Sequence, residues 1–131
     1  MIEPSPEVTR WLRRLSEKDA TRIGAAIRQL EQGGPAQRGG VVKLIRGSRH
    51  HNMKELRSIG GHLRALFAFD PEQKAILLVG GDKTGNWKGW YERNIPKADK
   101  IYDKHLRSQG REGAWAATTR RAGARSAGAG R

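Results

Sequence analysis

Three basic side chains in the middle of the chain come from neighbouring predicted elements and could meet on one surface. Arg57 belongs to the weakly alternating segment 53–58, Arg64 to the alternating run 62–69, and Lys83 to a glycine-rich loop after a further apolar run. If these segments are neighbouring strands, the three cations can converge on one surface of a sheet. Such a surface would attract a negatively charged partner.

His62 is the histidine that the pattern favours for acid–base chemistry. It alternates onto the same face as Arg64 if the strand is regular, although a surface histidine beside a turn is the simpler interpretation. The basic residues also have a purely structural interpretation, because Arg57 could pair with Glu55 or Asp82 and only hold the sheet together. These alternatives stay open at the level of sequence.

The charge balance favours a polyanionic partner. The 131-residue chain has 26 Lys and Arg against 13 Asp and Glu, which gives a formal net charge of +13. Within residues 38–64 there are seven Lys and Arg but a single acidic residue, Glu55, so the middle of the chain is locally cationic. RNA, DNA and the ribosome fit this charge, and an acidic protein fits it equally.

Length and composition predict one small domain without a metal or membrane function. A chain of 131 residues can enclose a single core. There is no Cys, and the side chains of His50 and His51 diverge in extended backbone, so we predict no metal site and no cofactor. No apolar run approaches the length of a membrane span, and residues 1–4 do not resemble a signal peptide. A cytoplasmic protein with no membrane partner is expected.

Apolar patterns predict four strands. Residues 63–69 alternate with period two, and residues 75–79 form an apolar run of strand length; the Pro-containing loop between them suits a hairpin. Residues 53–58 alternate more weakly, and residues 41–45 form another short apolar run. The expected result is a small, twisted, mostly antiparallel sheet of about four strands.

An N-terminal helical hairpin is predicted before the strands. Ser5, followed by Pro6, and Ser16, followed by Asp19, are typical helix starts. Apolar residues with helical spacing follow each of them, up to a strong stop at residues 33–35. The apolar stripe of this hairpin is expected to cover one face of the sheet.

The C-terminal part predicts one further helix and a tail. Pro96 marks the expected start of the helix, and residues 108–131 are rich in Ala, Gly and Arg without apolar periodicity. We therefore predict a folded domain of residues 1–107 and a disordered basic tail of residues 108–131. Three aromatic residues before Pro96 share helical spacing and are interpreted as core residues rather than as a base-stacking platform: Trp87, Trp90 and Tyr91.

The order of these elements resembles the RelE/HigB-type toxins of bacterial type II toxin–antitoxin systems, part of the RelE/ParE superfamily. The resemblance covers roughly residues 8–106. The motifs that carry it are Glu55-Leu56-Arg57, then Leu63-Arg64-Ala65-Leu66-Phe67, then an apolar strand that ends near Lys83-Thr84. It implies an α+β fold of the RelE type, with the helical hairpin on one face of the sheet and a C-terminal helix.

The resemblance also implies a function. Toxins of this kind are endoribonucleases that cleave mRNA, usually in the ribosomal A site, and an antitoxin keeps them inactive. We therefore expect mRNA, the ribosome and a cognate HigA-like, DNA-binding antitoxin as partners. Cleavage by the ribose 2′-OH needs a proton acceptor, cationic stabilisation of the phosphorane and a proton donor for the 5′-oxygen, and in principle no metal.

Roles for individual residues follow from the same resemblance. Arg64 and Arg57 are candidates for binding the phosphate, and Lys83 matches the basic position that approaches the scissile phosphate. With His62 they form the predicted catalytic set. Three further cations are predicted to bind RNA: Lys43, Arg46 and Lys54. Some members of the family have a catalytic Tyr or His near the C-terminal end of the fold, and two residues are possible equivalents: Tyr102 and His105.

Two other functions fit the same sequence. A ParE-like inhibitor of DNA gyrase would have this fold but act through protein contacts without cutting RNA. A non-catalytic RNA-binding module would use the basic tail as an electrostatic arm. Convergence of Arg57, Arg64 and Lys83 on one surface would favour the nuclease, whereas a sheet face without convergent basic residues would favour the gyrase inhibitor.

Overall fold

The chain forms a five-stranded sheet with helices on both faces. The computed structural model describes residues 1–36, 40–82, 84–85 and 87–124. The elements in chain order are β1 (Ile2–Pro4), α1 (Pro6–Arg13), α2 (Glu17–Gly33), a 3₁₀ turn (Gly34–Ala36), β2 (Val42–Leu44), β3 (Lys54–Arg57), β4 (Leu63–Phe69), β5 (Ala75–Asp82) and α3 (Trp87–Ala124). The predicted α+β class is confirmed.

The sheet has the strand order β1-β5-β4-β3-β2. The four predicted strands, β2 to β5, form a continuous antiparallel arrangement. The prediction did not include β1, which pairs in parallel with β5 at the edge of the sheet. Hydrogen bonds from Ala75 N to Met1 O (2.9 Å) and from Ser5 N to Leu77 O (2.8 Å) flank this pair. Strand β1 has only three residues and no alternation of apolar and polar side chains, so its conformation depends on pairing with the distant strand β5.

The two N-terminal helices begin where the capping residues predict. The Ser5 hydroxyl accepts a hydrogen bond from Val8 N (3.1 Å) and donates one to the carbonyl oxygen of Leu78 (2.9 Å), so one side chain caps α1 and ties it to β5. Ser16 caps α2 by accepting from Asp19 N (3.1 Å). The predicted helical hairpin is confirmed.

Each face of the sheet has its own apolar core, because side chains alternate along the strands. One core joins the sheet to α1 and α2, and its buried members include Val8, Ile23, Leu30, Leu56, Ala65, Phe67 and Leu77. The other joins the sheet to α3, and its buried members include Met53, Leu66, Ile76, Leu78, Trp90, Ile95, Ala98 and Tyr102. The sheet is therefore covered on both sides.

Two consecutive glycines in β5 let a tryptophan approach each face. A Cβ atom added to Gly80 would lie 2.2 Å from a ring carbon of Trp11, and one added to Gly81 would lie 2.3 Å from the indole nitrogen of Trp90. Both distances are far below van der Waals contact, so both positions exclude a larger side chain. These glycines set the distance of α1 and α3 from the sheet.

We expect Gly80→Ala to lower the free energy of unfolding by about 1–3 kcal/mol, because the methyl group and the Trp11 ring cannot occupy the same space. Urea unfolding would measure the loss. Gly24→Ala is the matched control: it lies within α2, the nearest atom to its added Cβ is 3.7 Å away, and alanine favours the helix by about 0.5–1 kcal/mol. Equal stability of Gly80→Ala and the unsubstituted chain would contradict this account of the packing.

Helix α3 differs from its prediction at both ends. It begins at Trp87 rather than at Pro96, which lies inside the helix. An interior proline removes one backbone hydrogen bond, and α3 tolerates this because Trp90, Ile95 and Ala98 pack together on the sheet on either side of it. Within the described ranges, none of the helices combines the length and the apolar character that a bilayer crossing requires.

At its other end α3 continues to Ala124, through much of the segment that we predicted to be disordered. Ala and Arg have a high helix propensity, which favours this extension of the helix. Residues 125–131 lie outside the described residues. The division into a domain of residues 1–107 and a tail of residues 108–131 stays a prediction.

A buried carboxyl group at the β4–β5 turn anchors the middle of α3. Asp70 accepts hydrogen bonds from the backbone of Lys74 (2.9 Å) and from two residues of α3, His105 (2.9 Å) and Gln109 (2.8 Å). Burial by itself would raise the pKa of Asp70, but these hydrogen bonds outweigh it and hold the pKa below its ordinary value. The ionised form of Asp70 therefore stabilises the fold.

We expect Asp70→Asn to lower the free energy of unfolding at neutral pH by about 1–3 kcal/mol, because an amide cannot accept all of these bonds. A lowered folded-state pKa gives stability that is present above the unfolded value of 3.8 and is lost as the pH falls through the folded value. Between about pH 5 and about pH 3, the free energy of unfolding in urea should therefore fall less steeply with pH for Asp70→Asn than for the unsubstituted chain. Glu31→Gln, which removes an exposed carboxylate, is the control and should show the same pH dependence as the unsubstituted chain. Equal pH dependence for all three proteins would contradict the stabilising role of ionised Asp70.

Candidate active site

A fully buried acidic side chain, Glu55, forms the centre of the candidate site. It lies in β3 beside Leu56, which belongs to the core under α1 and α2, so alternation directs Glu55 to the opposite face, toward α3. Its exposed fraction is 0%. A buried carboxyl group needs charged or hydrogen-bonding partners, and Glu55 has three of them.

Two arginines from adjacent strands contact the same oxygen of Glu55. Arg57 Nε lies 3.2 Å from Glu55 Oε1 and donates a hydrogen bond to it, and Arg64 Nε lies 3.7 Å from that atom. The register of β3 and β4 places Arg57 directly opposite Arg64, so the two guanidinium groups lie side by side on one face of the sheet. The predicted convergence of these two arginines is therefore observed.

The two arginines differ in exposure and in their hydrogen bonds. The Arg57 side chain is 33% exposed, and the Arg64 side chain is 12% exposed. Arg64 donates from Nη1 to the carbonyl oxygens of Leu63 (2.9 Å) and Gly61 (3.4 Å), while its Nε finds no hydrogen-bond partner among the described residues. The plane of the Arg64 guanidinium is therefore fixed, and its Nε is a buried donor that faces the Glu55 carboxyl group.

The third partner of Glu55 comes from the first turns of α3. The Tyr91 hydroxyl donates a hydrogen bond to Glu55 Oε2. Burial raises the pKa of Tyr91 to about 12, and the hydrogen bond to Glu55 adds to the rise. Tyr91 is therefore a neutral phenol at physiological pH, and it carries a proton next to the carboxyl group.

The Glu55 cluster opens into a cleft between β2 and α3. The cleft has a volume of about 500 Å³ and includes Glu55 and Tyr91 in its wall. Two of the predicted RNA-binding residues, Lys43 and Arg46, line it, and both are exposed. A cation-lined cleft beside a buried acid–base group can hold a phosphodiester next to a proton acceptor.

The other predicted site residues lie elsewhere or outside the described residues. Lys54 is on the opposite face of the sheet from Glu55, with its ammonium group 5.8 Å from the Phe69 ring centroid. His62 is exposed at the end of the sheet where Asp82 lies. Hydrogen bonds from Thr84 lower the pKa of Asp82, and the nearby charges of His62 and Arg64 lower it further. Lys83 lies outside the described residues, so its predicted role stays a prediction.

The two candidates in the C-terminal helix are structural in this fold. The Tyr102 hydroxyl donates to the carbonyl oxygen of Phe69 (2.9 Å), and His105 is bound to Asp70. Tyr102 follows Tyr91 by eleven residues along α3, which corresponds to roughly 16 Å at the rise of an α-helix. Tyr102 and His105 are therefore distant from the Glu55 cluster.

Sequence reasoning missed Glu55 and Tyr91 as functional residues. Glu55 was interpreted only as a structural partner of Arg57, although its position as the one acidic residue of a cationic stretch was a usable signal. Tyr91 was assigned to the core together with Trp90. In the structure Trp90 is buried, Tyr91 is partly buried, and the Trp87 ring is 55% exposed. Helical spacing alone could not separate these three environments, because the exposure of each side chain depends on how α3 packs on the sheet.

Comparison with known proteins identifies the family of the chain. A sequence profile of the phage-derived Gp49-like protein family matches residues 10–103. The chain is 48% identical over 104 residues to a Mycobacterium tuberculosis protein named as toxin HigB3, covering 79% of this chain and 91% of that protein. It is 45% identical over 102 residues to a second protein of that organism, named as toxin HigB2; this match covers 76% of the chain but only 51% of HigB2, about half its length.

Solved structures of RelE toxins share the fold. One chain of the RelB–RelE antitoxin–toxin complex from Methanococcus jannaschii matches with a TM-score of 0.51 at 16% identity, over 69% of this chain and 95% of that one. The isolated E. coli RelE toxin matches with a TM-score of 0.50 at 11% identity, over 72% and 97%. The resemblance predicted from the motifs is confirmed. The chain belongs to the Gp49-like family and is a toxin of the RelE/HigB type.

Proposed function

We propose that this toxin is an endoribonuclease that cleaves mRNA by attack of a ribose 2′-OH on the adjacent phosphorus. The observation that supports this most directly is the Glu55 cluster, in which two arginines and a neutral phenol contact a buried carboxyl group. Glu55 and the phenol, Tyr91, belong to the wall of a cationic cleft. These groups match the needs of the reaction: a proton acceptor, cations for the phosphorane and a proton donor.

In the proposed reaction Glu55, as its carboxylate, takes the proton of the 2′-OH while the 2′-oxygen forms its bond to phosphorus. Arg64 and Arg57 stabilise the negative charge of the phosphorane through their guanidinium groups. The bond to the 5′-oxygen breaks as Tyr91 gives its proton to that oxygen. Glu55 then returns a proton to Tyr91 along their hydrogen bond. The products are a 2′,3′-cyclic phosphate and a 5′-hydroxyl, and both side chains regain their starting states.

The ribosome is the proposed setting for this cleavage, which would therefore take place in the cytoplasm. A net charge of +13 gives strong, salt-dependent affinity for a polyanion, and Lys43 and Arg46 lie at the cleft. His62 and Lys54 remain candidates for contacts with RNA outside the cleft. Ribosome dependence is tested by comparing the cleavage of one defined mRNA with and without translating ribosomes.

The test of the proposed function is the end chemistry of RNA in cells. After brief controlled expression of the intact chain in a bacterial host, we expect new mRNA 5′ ends inside translated frames, and those ends should carry a 5′-hydroxyl. Growth arrest without new 5′ ends would contradict the nuclease and favour the gyrase inhibitor. New ends with a 5′-phosphate would retain a nuclease but exclude attack by the 2′-OH.

We also propose a cognate antitoxin, HigA-like and DNA-binding, as the partner. RelE in the M. jannaschii structure is complexed with RelB. In this chain β2 is an edge strand and its Leu44 side chain is 67% exposed, so a segment of the antitoxin could extend the sheet there. Co-expression of the antitoxin should abolish growth arrest, and Leu44→Asp in the toxin should weaken that protection.

A further inference from the structure

We propose that Trp87 forms a stacking site for an unpaired nucleobase beside the Glu55 cluster. The site is the outer part of the same cleft, where Trp87 at the start of α3 faces the end of β2. Its ligand would be a base of single-stranded RNA next to the scissile phosphate. The subsite rests on the proposed function, because it shares its cleft with the catalytic residues.

The exposure of Trp87 is the first observation that supports the subsite. The residue is 55% exposed, although Trp90, three residues later on α3, is almost fully buried. Tyr91 packs edge-on against Trp87, with ring centroids 6.2 Å apart and an angle of 80° between the rings, so it supports the indole from one side. A large aromatic face held at the mouth of a cleft is a stacking surface for a nucleobase.

Charge around the indole is the second observation. Trp87 belongs to the wall of two neighbouring depressions, of about 500 Å³ and about 330 Å³, which also share Arg46 and Tyr91. Exposed Lys43 lines the larger depression; the smaller one is lined by exposed Lys88 and by one exposed carboxylate, Glu92, so cations outnumber acids around the indole. Exposed cations around an aromatic face fit a ligand that combines a base with a phosphate, because the cations bind the backbone while the ring binds the base.

The position relative to Glu55 is the third observation. Glu55 and Tyr91 belong to the wall of the larger depression, and Tyr91 contacts both Trp87 and Glu55. A nucleotide stacked on Trp87 would therefore have its sugar and phosphate close to the proposed proton acceptor. Stacking would orient the nucleotide for attack, and it would make the toxin sensitive to the size of the base.

A titration with two small ligands tests the subsite without ribosomes. Adenosine 5′-monophosphate carries adenine at the sugar carbon where ribose 5-phosphate carries a hydroxyl group, so the ratio of their dissociation constants measures what the base contributes. With the full chain, followed by NMR of the Trp indole N–H signals, adenosine 5′-monophosphate should bind roughly tenfold more tightly. Trp87→Ala should bring the ratio close to one, and Trp87→Phe should retain part of it.

Two controls separate stacking from other effects. Arg46→Ala should weaken both ligands alike and leave their ratio unchanged, because it removes a contact to phosphate. Ile59→Ala removes an exposed apolar side chain outside the cleft and should behave like the unsubstituted chain. Equal affinities of the two ligands for the unsubstituted chain, absence of binding by either, or a ratio that survives Trp87→Ala would overturn the proposal.

The outcomes also distinguish this subsite from the proposed function. If the intact chain yields no new RNA ends but the base-dependent ratio and its loss in Trp87→Ala are found, the nuclease fails and the subsite stands. If cleavage is found and the ratio is not, only the subsite fails. Weaker antitoxin binding by Trp87→Ala with unchanged nucleotide binding would make this face a protein-docking surface and would likewise overturn the proposal.

Discussion

Glu55→Gln is expected to reduce mRNA cleavage by about 10²–10⁴-fold, because it removes the proton acceptor for the 2′-OH and keeps nearly the same volume. The amide of Gln can still accept a hydrogen bond from Tyr91 or Arg57, so most of the cluster can remain in place. The loss should be seen in the rate of cleavage at saturating RNA concentration, since Glu55 acts on the reacting hydroxyl. Single-turnover cleavage of a defined mRNA is the measurement.

The stability of Glu55→Gln must be measured in parallel. The substitution leaves Arg57 and Arg64 facing each other without a compensating negative charge, and we expect it to cost about 1–3 kcal/mol in the free energy of unfolding. Cleavage is therefore compared at a temperature well below the unfolding midpoint of the variant. Glu31→Gln, which removes an exposed carboxyl group from α2, should cleave like the unsubstituted chain. Full activity of folded Glu55→Gln would exclude Glu55 as the base.

Arg64→Ala is expected to reduce cleavage by about 10²–10³-fold, which is typical of the loss of one donor to a developing negative charge. Arg64 is the better placed of the two arginines, because its side chain is only 12% exposed and its Nη1 is held by two carbonyl oxygens. Charge in such a shielded position interacts more strongly with the phosphorane than charge in water. Cleavage rates and RNA affinity should both be measured, because a transition-state role predicts the larger loss in rate.

Three comparison variants make the Arg64 prediction specific. Arg64→Lys should recover only part of the rate, because an ammonium group cannot supply the planar donors of a guanidinium. Arg57→Ala should reduce the rate less than Arg64→Ala, since Arg57 is more exposed and its Nε–H donates a hydrogen bond to Glu55. Arg28→Ala removes the same charge from an exposed position on α2 and should have little effect. Equal rates for Arg64→Ala and Arg28→Ala would exclude Arg64 from the transition state.

Local patterns in the sequence determined the helix caps, the positions of four strands and the family resemblance. Ser5 and Ser16 act within a few residues of their own positions, so their effect is independent of the rest of the fold. Alternation in residues 63–69 likewise has a local cause, because each side chain in a strand points opposite to its neighbours. The motifs around Arg57 and Arg64 were sufficient to predict the family, and the strand pattern predicted that these two side chains could share one surface.

Tertiary structure decided every feature that depends on a distant partner. Strand β1 exists because β5 lies beside it, and α3 continues through Pro96 because the sheet holds residues on both sides of the proline. Glu55 becomes a buried acid–base candidate, rather than a simple partner of Arg57, only when Arg64 and Tyr91 meet it from β4 and α3. Trp87 is exposed for a similar reason, since α3 turns Trp90 toward the sheet and leaves Trp87 at the cleft. Local sequence specifies the conformation of each element, but burial and the partners of a charge are properties of the surfaces that the elements bring together.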